Sequence, residues 1–151
     1  MNQSLSYDDV LLKLQYSDIR SRTEVSTQVD LGNGLILRVP ILASPMDTIS
    51  EAPMAVALGL YGGAAIIHRY NSIQEQADIV TMAKEIAKQD YRKDIVIGAA
   101  IGVTDDYINR AAVLNALGVD FICVDVAHGH HVLMKDALQT LRFKLGTDIH
   151  I

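Results

Sequence analysis

The sequence predicts an α/β fold in which short parallel strands alternate with helices. From Pro40 onward, short apolar runs alternate with longer amphipathic stretches, which is the pattern of repeated strand-helix units. The apolar runs are continuous rather than interrupted by polar residues, which indicates strands buried on both faces of a parallel sheet. Helix-start and helix-stop residues separate the runs, so the boundaries carry their own local signals.

The predicted elements follow one another without linkers or low-complexity segments. Strands are predicted over residues 40–44, 64–68, 95–100 and 121–125, and residues 148–151 look like the start of a fifth. Helices are predicted over residues 51–60, from 72 to about 86, from about 105 to 117, and over 132–145. The chain therefore supplies four complete βα units.

Local signals mark the helix ends. Gly62-Gly63 ends the first predicted helix. Ser72 and Glu75 fit a capping box, in which each side chain bonds the backbone N–H of the other residue. Gly118 is predicted to be a left-handed cap after the third helix, and another glycine follows the fourth.

Four βα units are too few to close a barrel. A closed eight-stranded parallel barrel takes about 250 residues, and the outer strands of half a barrel expose backbone donors, acceptors and apolar surface. Two interpretations stay open. The chain is either the first half of a (β/α)8 barrel that another polypeptide or a further segment completes, or an open α/β domain of four or five strands.

Residues 1–39 differ in character from the rest. Asn33-Gly34 favours a hairpin within residues 31–37, and Val10–Leu12 is an apolar patch. We expect this N-terminal segment, with its small hairpin, to cap a barrel whose first half is residues 40–151.

Composition excludes several function classes. The formal net charge of −5 argues against nucleic-acid binding, which needs a clustered basic excess, and against attraction to an acidic membrane surface. The single cysteine, Cys123, cannot form an internal disulfide. The N-terminus does not read as a signal peptide, and no apolar run approaches the ~18 residues of a membrane span. We therefore expect a cytoplasmic protein.

Polar residues are concentrated where the predicted strands end. The segments are Ser44–Thr48, His68–Asn71, Gly102–Thr104 and Asp125–His131. The active site of a parallel barrel lies at the carboxyl ends of its strands, so this edge is the predicted site. Polar strand-to-helix loops are also normal in α/β folds without a catalytic site.

Five motifs, in order and over nearly the whole chain, resemble the IMP dehydrogenase/GMP reductase family. They are Tyr7–Leu12, Ser44–Thr48 with Glu51 and Met54-Ala55, Gly62-Gly63 with Ile66–His68, Gly98–Gly102, and Asp125–His130. The resemblance implies that the fold is a (β/α)8 barrel, of which this chain is the first four units and the start of strand five.

The resemblance also implies roles for residues at the strand ends. Ser44 is expected near the phosphate of a purine nucleotide, IMP or GMP, and Met46 against its base; the alternative for Met46 is core filling. Asp125, with Val126 and Ala127, is expected beside the nicotinamide cofactor, NAD or NADP. The alternative for Asp125 is a loop carboxylate that caps the next helix.

Three further residues are implied to face the cofactor. Arg69 occupies a position where a basic or imidazole residue often does so. Ser21 and Arg22 resemble a segment of GMP reductases that reaches the adenosine part of the dinucleotide across a subunit interface, where an arginine suits a 2′-phosphate. For both arginines the alternative is an ordinary solvated side chain.

No catalytic residue is predicted within the chain. The family's nucleophilic cysteine belongs to a glycine-rich loop after the sixth strand, beyond Ile151, as do its later phosphate-binding loops and the potassium site of the complete enzyme. Cys123 is predicted to be a buried filler inside a strand. The spacing of His128, His130 and His131 does not resemble a zinc site, so no metal is predicted.

The implied activity is NAD(P)-dependent oxidoreduction of a purine nucleotide, with the cysteine bonded to C2 while hydride is transferred. The first two units lean to oxidation of IMP to XMP, which is slightly favoured over the chain as a whole. The segment Ser21–Val25, and the absence of a regulatory CBS insertion at Ala87–Asp94, lean to reduction of GMP to IMP with NADPH.

A non-catalytic half barrel that binds a complementary C-terminal half is a third interpretation, and a flavin-dependent barrel a fourth. The complete enzyme is expected to be a homo-oligomer, a tetramer, with no nucleic acid or membrane partner.

The exposed edges of half a barrel generate a first prediction. This chain alone is expected to be poorly soluble or oligomeric, because unpaired strand edges associate. Size-exclusion chromatography and a thermal scan test this, and a monomer that melts cooperatively would contradict it.

Overall fold

A parallel sheet is the centre of the structure, a computed structural model that describes residues 4–151. The strands are β1 (Val29–Asp30), β2 (Ile36–Leu37), β3 (Leu42–Ala43), β4 (Ala64–Ile67), β5 (Ile97–Ile101) and β6 (Phe121–Val124). The helices are α1 (Ala52–Tyr61), α2 (Ile73–Tyr91), α3 (Tyr107–Ala116) and α4 (Val132–Leu145), with short 3-10 helices at Tyr7–Asp9 and Arg22–Glu24.

The sheet has four strands in the sequential order β3-β4-β5-β6, and every neighbouring pair is parallel. Ala65 pairs with Ile97, and Gly98 with Phe121. Beyond β6, His150 makes a parallel bridge to Phe121, and its carbonyl accepts the N–H of Ile122 at 2.8 Å. The prediction that a fifth strand starts here is confirmed.

The four helices share one apolar core with one face of the sheet. Strand residues 65, 67, 97, 99, 101 and 122 pack there against helix residues 52, 55, 56, 80, 83, 87, 111, 114 and 141. A doubly wound sheet would place helices on both faces. Helices on one face of a sequentially ordered parallel sheet are the arrangement of a (β/α)8 barrel, so the predicted fold class is confirmed.

The other face of the sheet is covered by the N-terminal hairpin. β1 and β2 pair antiparallel, as predicted around Asn33-Gly34. Leu35 and Leu37 pack with Ala64, Ile66, Ala100 and Phe121 of the sheet, in positions that alternate with those facing the helices. In contrast, Leu11 and Leu12 are 97% and 100% exposed. The role of that patch as a barrel cap stays a prediction.

The predicted helix caps are confirmed. The Ser72 hydroxyl accepts the N–H of Glu75 at 3.1 Å, and a Glu75 carboxylate oxygen accepts the N–H of Ser72 at 2.8 Å. These bonds hold the pKa of Glu75 below its ordinary value. Gly118 has a φ of 71°, the left-handed conformation predicted for it. Within residues 4–151, no helix combines the length and apolar character that crossing a bilayer requires.

Two predicted strands begin later than expected, and the strands predicted over 64–68 and 121–125 each end one residue early. β3 begins only at Leu42 because the N–H of Ile41 bonds the carbonyl of Val39, two residues before it, instead of joining the ladder. β5 begins at Ile97, whereas Ile95 packs against the helix glycine Gly59. The local turn and the helix contact replace strand pairing at these ends.

Gly98 allows the aromatic ring of Phe121 to lie against β5. A Cβ built at Gly98 would meet ring atoms of Phe121 at 2.2 Å. We predict that Gly98→Ala lowers the free energy of unfolding by about 1–3 kcal/mol, because the buried ring has to move. Urea unfolding followed by circular dichroism measures this.

The matched control is Gly129→Ala, where an added Cβ would meet no atom within 4 Å. Equal stability of the two variants would contradict the packing argument. Recovery of stability in the double variant Gly98→Ala, Phe121→Leu would support it.

Candidate active site

The loops that follow β3, β4, β5 and β6 meet at one edge of the sheet, because parallel strands end on the same side. These are the loops in which the sequence concentrates polar residues. Two groups of contacts connect them. One joins the loop after β4 to the loop after β6, and the other joins the loop after β4 to the loop after β3.

Arg69 and Asp125 connect the loops after β4 and β6. Nε of Arg69 lies 3.5 Å from a carboxylate oxygen of Asp125, and Nη2 donates to the Asp125 carbonyl at 3.3 Å. The side chains are 33% and 30% exposed. Gly102 lies beside this crossing, and a Cβ there would make an ordinary van der Waals contact with Nη1 of Arg69 at 3.4 Å. Two residues predicted separately to face a cofactor are thus brought together.

The same loop keeps polar atoms without partners. Nε of Arg69 and Oδ1 of Asn71 are buried and have no hydrogen-bond partner within residues 4–151. The 3.5 Å approach of Nε to Asp125 is an ion-pair contact without hydrogen-bond geometry. A buried donor and a buried acceptor are expensive to leave unpaired. Both atoms belong to the loop that follows β4, at the edge where the sequence predicts the site.

His68 connects the loops after β4 and β3. Its ring is 97% buried, its Nδ1 accepts the N–H of Tyr70 at 3.2 Å, and its Nε2 lies 3.3 Å from a Glu51 carboxylate oxygen and 3.9 Å from one of Asp47. Because Nδ1 is an acceptor, the proton of the neutral ring belongs on Nε2, which donates to Glu51. The backbone N–H of His68 also donates to the carbonyl of Ser50 at 3.3 Å.

The loop that carries Ser44 and Met46 is held from behind. The buried Ser50 hydroxyl donates to the carbonyl of Ser44, and the Ser50 N–H donates to the carbonyl of Met46 at 2.9 Å. The side chain of Ser44 is exposed, and Met46 is 51% exposed. Both residues predicted to contact a nucleotide are therefore accessible on a braced loop, and Met46 is not a core residue.

The remaining predicted residues divide into two groups. Val126 is half-buried and lines a cavity of about 220 Å³, whereas Ala127 is exposed. The other lining residues are Val103, His128, His131, Leu133 and Met134. Ser21 and Arg22 lie in an exposed segment, where Ser21 caps a 3-10 helix. Within residues 4–151, no hydrogen bond or ion pair joins either of them to the strand-end loops.

The histidines of the last loop have structural partners. His131 is the N-cap of α4, and its Nδ1 accepts the N–H of Leu133 at 3.2 Å. The rings of His128 and His130 meet edge to face at 6.5 Å. In the part of the chain that the structure describes, no three His, Cys, Asp or Glu side chains are grouped so as to hold a metal ion.

Three buried polar residues at this edge were not singled out from the sequence: Ser50, described above, Gln76 and Arg110. Gln76 of α2 is fully buried and Arg110 of α3 is 6% exposed. Gln76 heads a stripe of buried residues on α2 that continues with Val80, Ala83 and Ala87. A polar residue at helical spacing on an apolar stripe is the signal that could have found it.

Comparison with known proteins places the chain in a family. The family model for the IMP dehydrogenase / GMP reductase domain matches residues 4–151. The chain belongs to this family. It is 29% identical to the inosine-5′-monophosphate dehydrogenase of Cryptosporidium parvum, over 99% of the chain and 46% of that protein. It is 35% identical to the enzyme of the same name from Nitrosopumilus maritimus, over 78% of the chain and 25% of that protein.

A relative with the other family name matches a shorter part. The chain is 45% identical to the GMP reductase of Leishmania donovani, over 54% of the chain and 17% of that protein. The chain thus spans less than half the length of each of these three relatives. All the strand-end loops described above lie within the residues that match the family.

Cys123 generates a prediction about reactivity. Burial raises the pKa of its thiol, and the negative charge of Asp125 raises it further. A raised pKa leaves less thiolate at neutral pH, so alkylation by iodoacetamide is expected to have its midpoint at a higher pH than that of a free cysteine. Asp125→Asn is expected to lower the midpoint, and unfolding in urea to restore the ordinary one. A midpoint below that of free cysteine would contradict the burial argument.

Proposed function

We propose that this chain supplies the nucleotide and dinucleotide loops of an NAD(P)-dependent purine nucleotide oxidoreductase, with a lean to oxidation of IMP to XMP. The observation that carries the proposal is the Arg69–Asp125 pair. It joins the loops after β4 and β6 and leaves a buried Nε–H without a partner. The family of the chain supports the class of reaction.

The strand-end residues fit a dinucleotide. Arg69 offers the positive charge and the N–H donors of a guanidinium that is one-third exposed, which suit a phosphate or carboxamide oxygen. The Asp125 carboxylate accepts hydrogen bonds and suits a ribose hydroxyl or a carboxamide N–H. Val126 and Ala127 follow Asp125 in the same loop, and these three residues with Arg69 form what we call the dinucleotide wall. When bound, a nicotinamide supplies the centre that accepts or releases hydride.

The braced loop after β3 fits the purine nucleotide. The exposed Ser44 hydroxyl can donate to a phosphate oxygen, and the exposed Met46 thioether suits the flat face of a base. Ser50 and His68 hold this loop against the loop that carries Arg69. The two ligands would therefore lie side by side, as transfer of hydride between them requires.

Further parts of the activity are proposed for the complete enzyme. We place the nucleophilic cysteine in residues supplied by a complementary half of the barrel, because Cys123 is half-buried with a raised pKa. We also assign Ser21 and Arg22 to a contact with the dinucleotide across a subunit interface of a homo-oligomer. Both residues are exposed, and within residues 4–151 neither makes a hydrogen bond or ion pair with the strand-end loops of the same chain. A monovalent cation would belong to the complementary half.

The second candidate function is reduction of GMP to IMP with NADPH. The 45% identity to the Leishmania donovani GMP reductase favours it. The lean to the dehydrogenase rests on the two dehydrogenase relatives that cover 99% and 78% of the chain. Both candidates use the same loops, and they differ in the direction of hydride transfer and in the dinucleotide.

The test combines the chain with a polypeptide that supplies the remaining βα units. The assembled protein is expected to form NADH from IMP and NAD, measured by absorbance. Consumption of NADPH with GMP instead would assign the second candidate. Absence of both reactions, in an assembly shown by sedimentation to be complete, would contradict the proposal and leave a non-catalytic half barrel.

Asp125→Asn tests the assignment of the dinucleotide wall. We expect the KM for the dinucleotide to rise about tenfold or more, which corresponds to about 1.4 kcal/mol of lost binding, with a smaller effect on the KM for the nucleotide. Asp136→Asn, an exposed carboxylate on α4, is the control. Equal kinetics of the two variants would place the dinucleotide elsewhere.

A further inference from the structure

The buried polar side chains of the described chain all lie behind the candidate site. They are Ser50, His68, Gln76 and Arg110. A polar group that is buried without partners costs free energy, so such groups persist where their bonds are made. Ser50 and His68 brace the loop after β3 directly. Gln76 and Arg110 make no hydrogen bond with Ser44 or Asp125, and they hold the loop after β4 instead.

Gln76 bonds the ends of two neighbouring strands at once. Its Nε2 donates to the carbonyl of Ile67, the last residue of β4, at 3.2 Å and to the carbonyl of Ala100 in β5 at 2.9 Å. Ile67 and Ala99 are the last paired residues of this part of the sheet. Beyond them the side-chain amide of Gln76 supplies the hydrogen bonds that strand pairing no longer makes. The two strands can therefore separate without leaving these buried carbonyls unpaired.

Arg110 continues the same network to the far end of the loop after β4. Its Nη1 donates to Oε1 of Gln76 at 3.0 Å, and its Nη2 donates to the carbonyl of Asn71 at 2.9 Å. Nη2 also donates to the carboxylate of Asp106 at 2.8 Å. The amide of Gln76 is thereby fixed in orientation, since its oxygen must face the arginine.

The loop 68–71 is consequently held at both ends by one connected pair of side chains. Gln76 bonds the carbonyl that precedes His68, and Arg110 bonds the carbonyl of Asn71. Arg69 lies between these two anchors and reaches Asp125 across the end of β5.

We infer that Gln76 and Arg110 are positioning residues, which set the guanidinium of Arg69 against Asp125 and thereby the affinity for the dinucleotide. The inference rests on the proposed function for the identity of the ligand. Neither residue touches the ligand. Their effect passes through the backbone of residues 68–71, whereas the Ser44 loop is held by the separate contacts of Ser50.

The test is Gln76→Met in the assembled enzyme, since methionine keeps the length of glutamine and removes both donors. We expect the KM for the dinucleotide to rise about tenfold, with the KM for the purine nucleotide changed by less than about twofold. Gln74→Met on the same helix is the matched control, because the Gln74 amide bonds only the exposed Asp78.

A merely structural role would give a different result. It would lower the melting temperature and the active fraction while leaving the ratio of the two KM values unchanged. That outcome, with an active wild type, would overturn the inference. If the wild type lacks both activities, the proposed function fails by itself.

Hydrogen exchange tests the positioning without any activity. Exchange of the backbone amides of residues 68–71 and of Asp125 is expected to accelerate in Gln76→Met but not in Gln74→Met, while the hairpin at residues 29–37 keeps its wild-type rates. Unchanged exchange at residues 68–71 would also overturn the inference. This readout does not depend on which nucleotide or dinucleotide is bound.

A second variant covers the case in which Gln76→Met does not fold. Asp106→Asn weakens the hold on Arg110 at a side chain that is 45% exposed, so the core is undisturbed. We expect a shift of the dinucleotide KM in the same direction and of smaller size. No shift, together with unchanged exchange at residues 68–71, would count against the network.

Discussion

The middle strands of the sheet, β4 and β5, are buried along their whole length, so every backbone N–H and carbonyl in them needs a partner inside the protein. The ladder supplies these partners along β4 and β5 up to Ile67 and Ala99. Past that point the strands have to separate if loops are to form a site at the edge of the sheet. Side chains from the surrounding helices take over the bonding there, and the polar residues buried behind the site follow from this requirement.

The interactions at the site differ in what they contribute. The Gln76–Arg110 network is almost fully buried, and both the nitrogen and the oxygen of the Gln76 amide are hydrogen-bonded. This favours one arrangement of the loop 68–71. The Arg69–Asp125 pair is about one-third exposed, and pairs of this kind contribute at most about 1 kcal/mol to stability. Its charges are therefore better understood as available to a ligand than as a support for the fold.

Much of the architecture could be predicted because its signals are local. The capping box at Ser72 and Glu75 and the left-handed Gly118 depend on neighbouring residues in the chain, and both are found as predicted. Ser44, Met46, Arg69 and Asp125 were selected by their position at strand ends and by family resemblance. Strand ends were less accurate, since β3 and β5 begin where local turns and helix packing permit pairing. Gln76 was missed because its partners are carbonyls on two strands that only the tertiary fold brings to it.

The sequence by itself determined the alternation of strands and helices, the helix caps and the resemblance to the family, because hydrophobic periodicity and capping act over a few residues. Only the tertiary structure decided that the helices cover one face of the sheet, that the hairpin covers the other, and that Arg69 meets Asp125. Those features join residues far apart in the chain, such as positions 69 and 125, and depend on the sheet to bring them within bonding distance. The half of a nucleotide site proposed for this chain is a product of both levels.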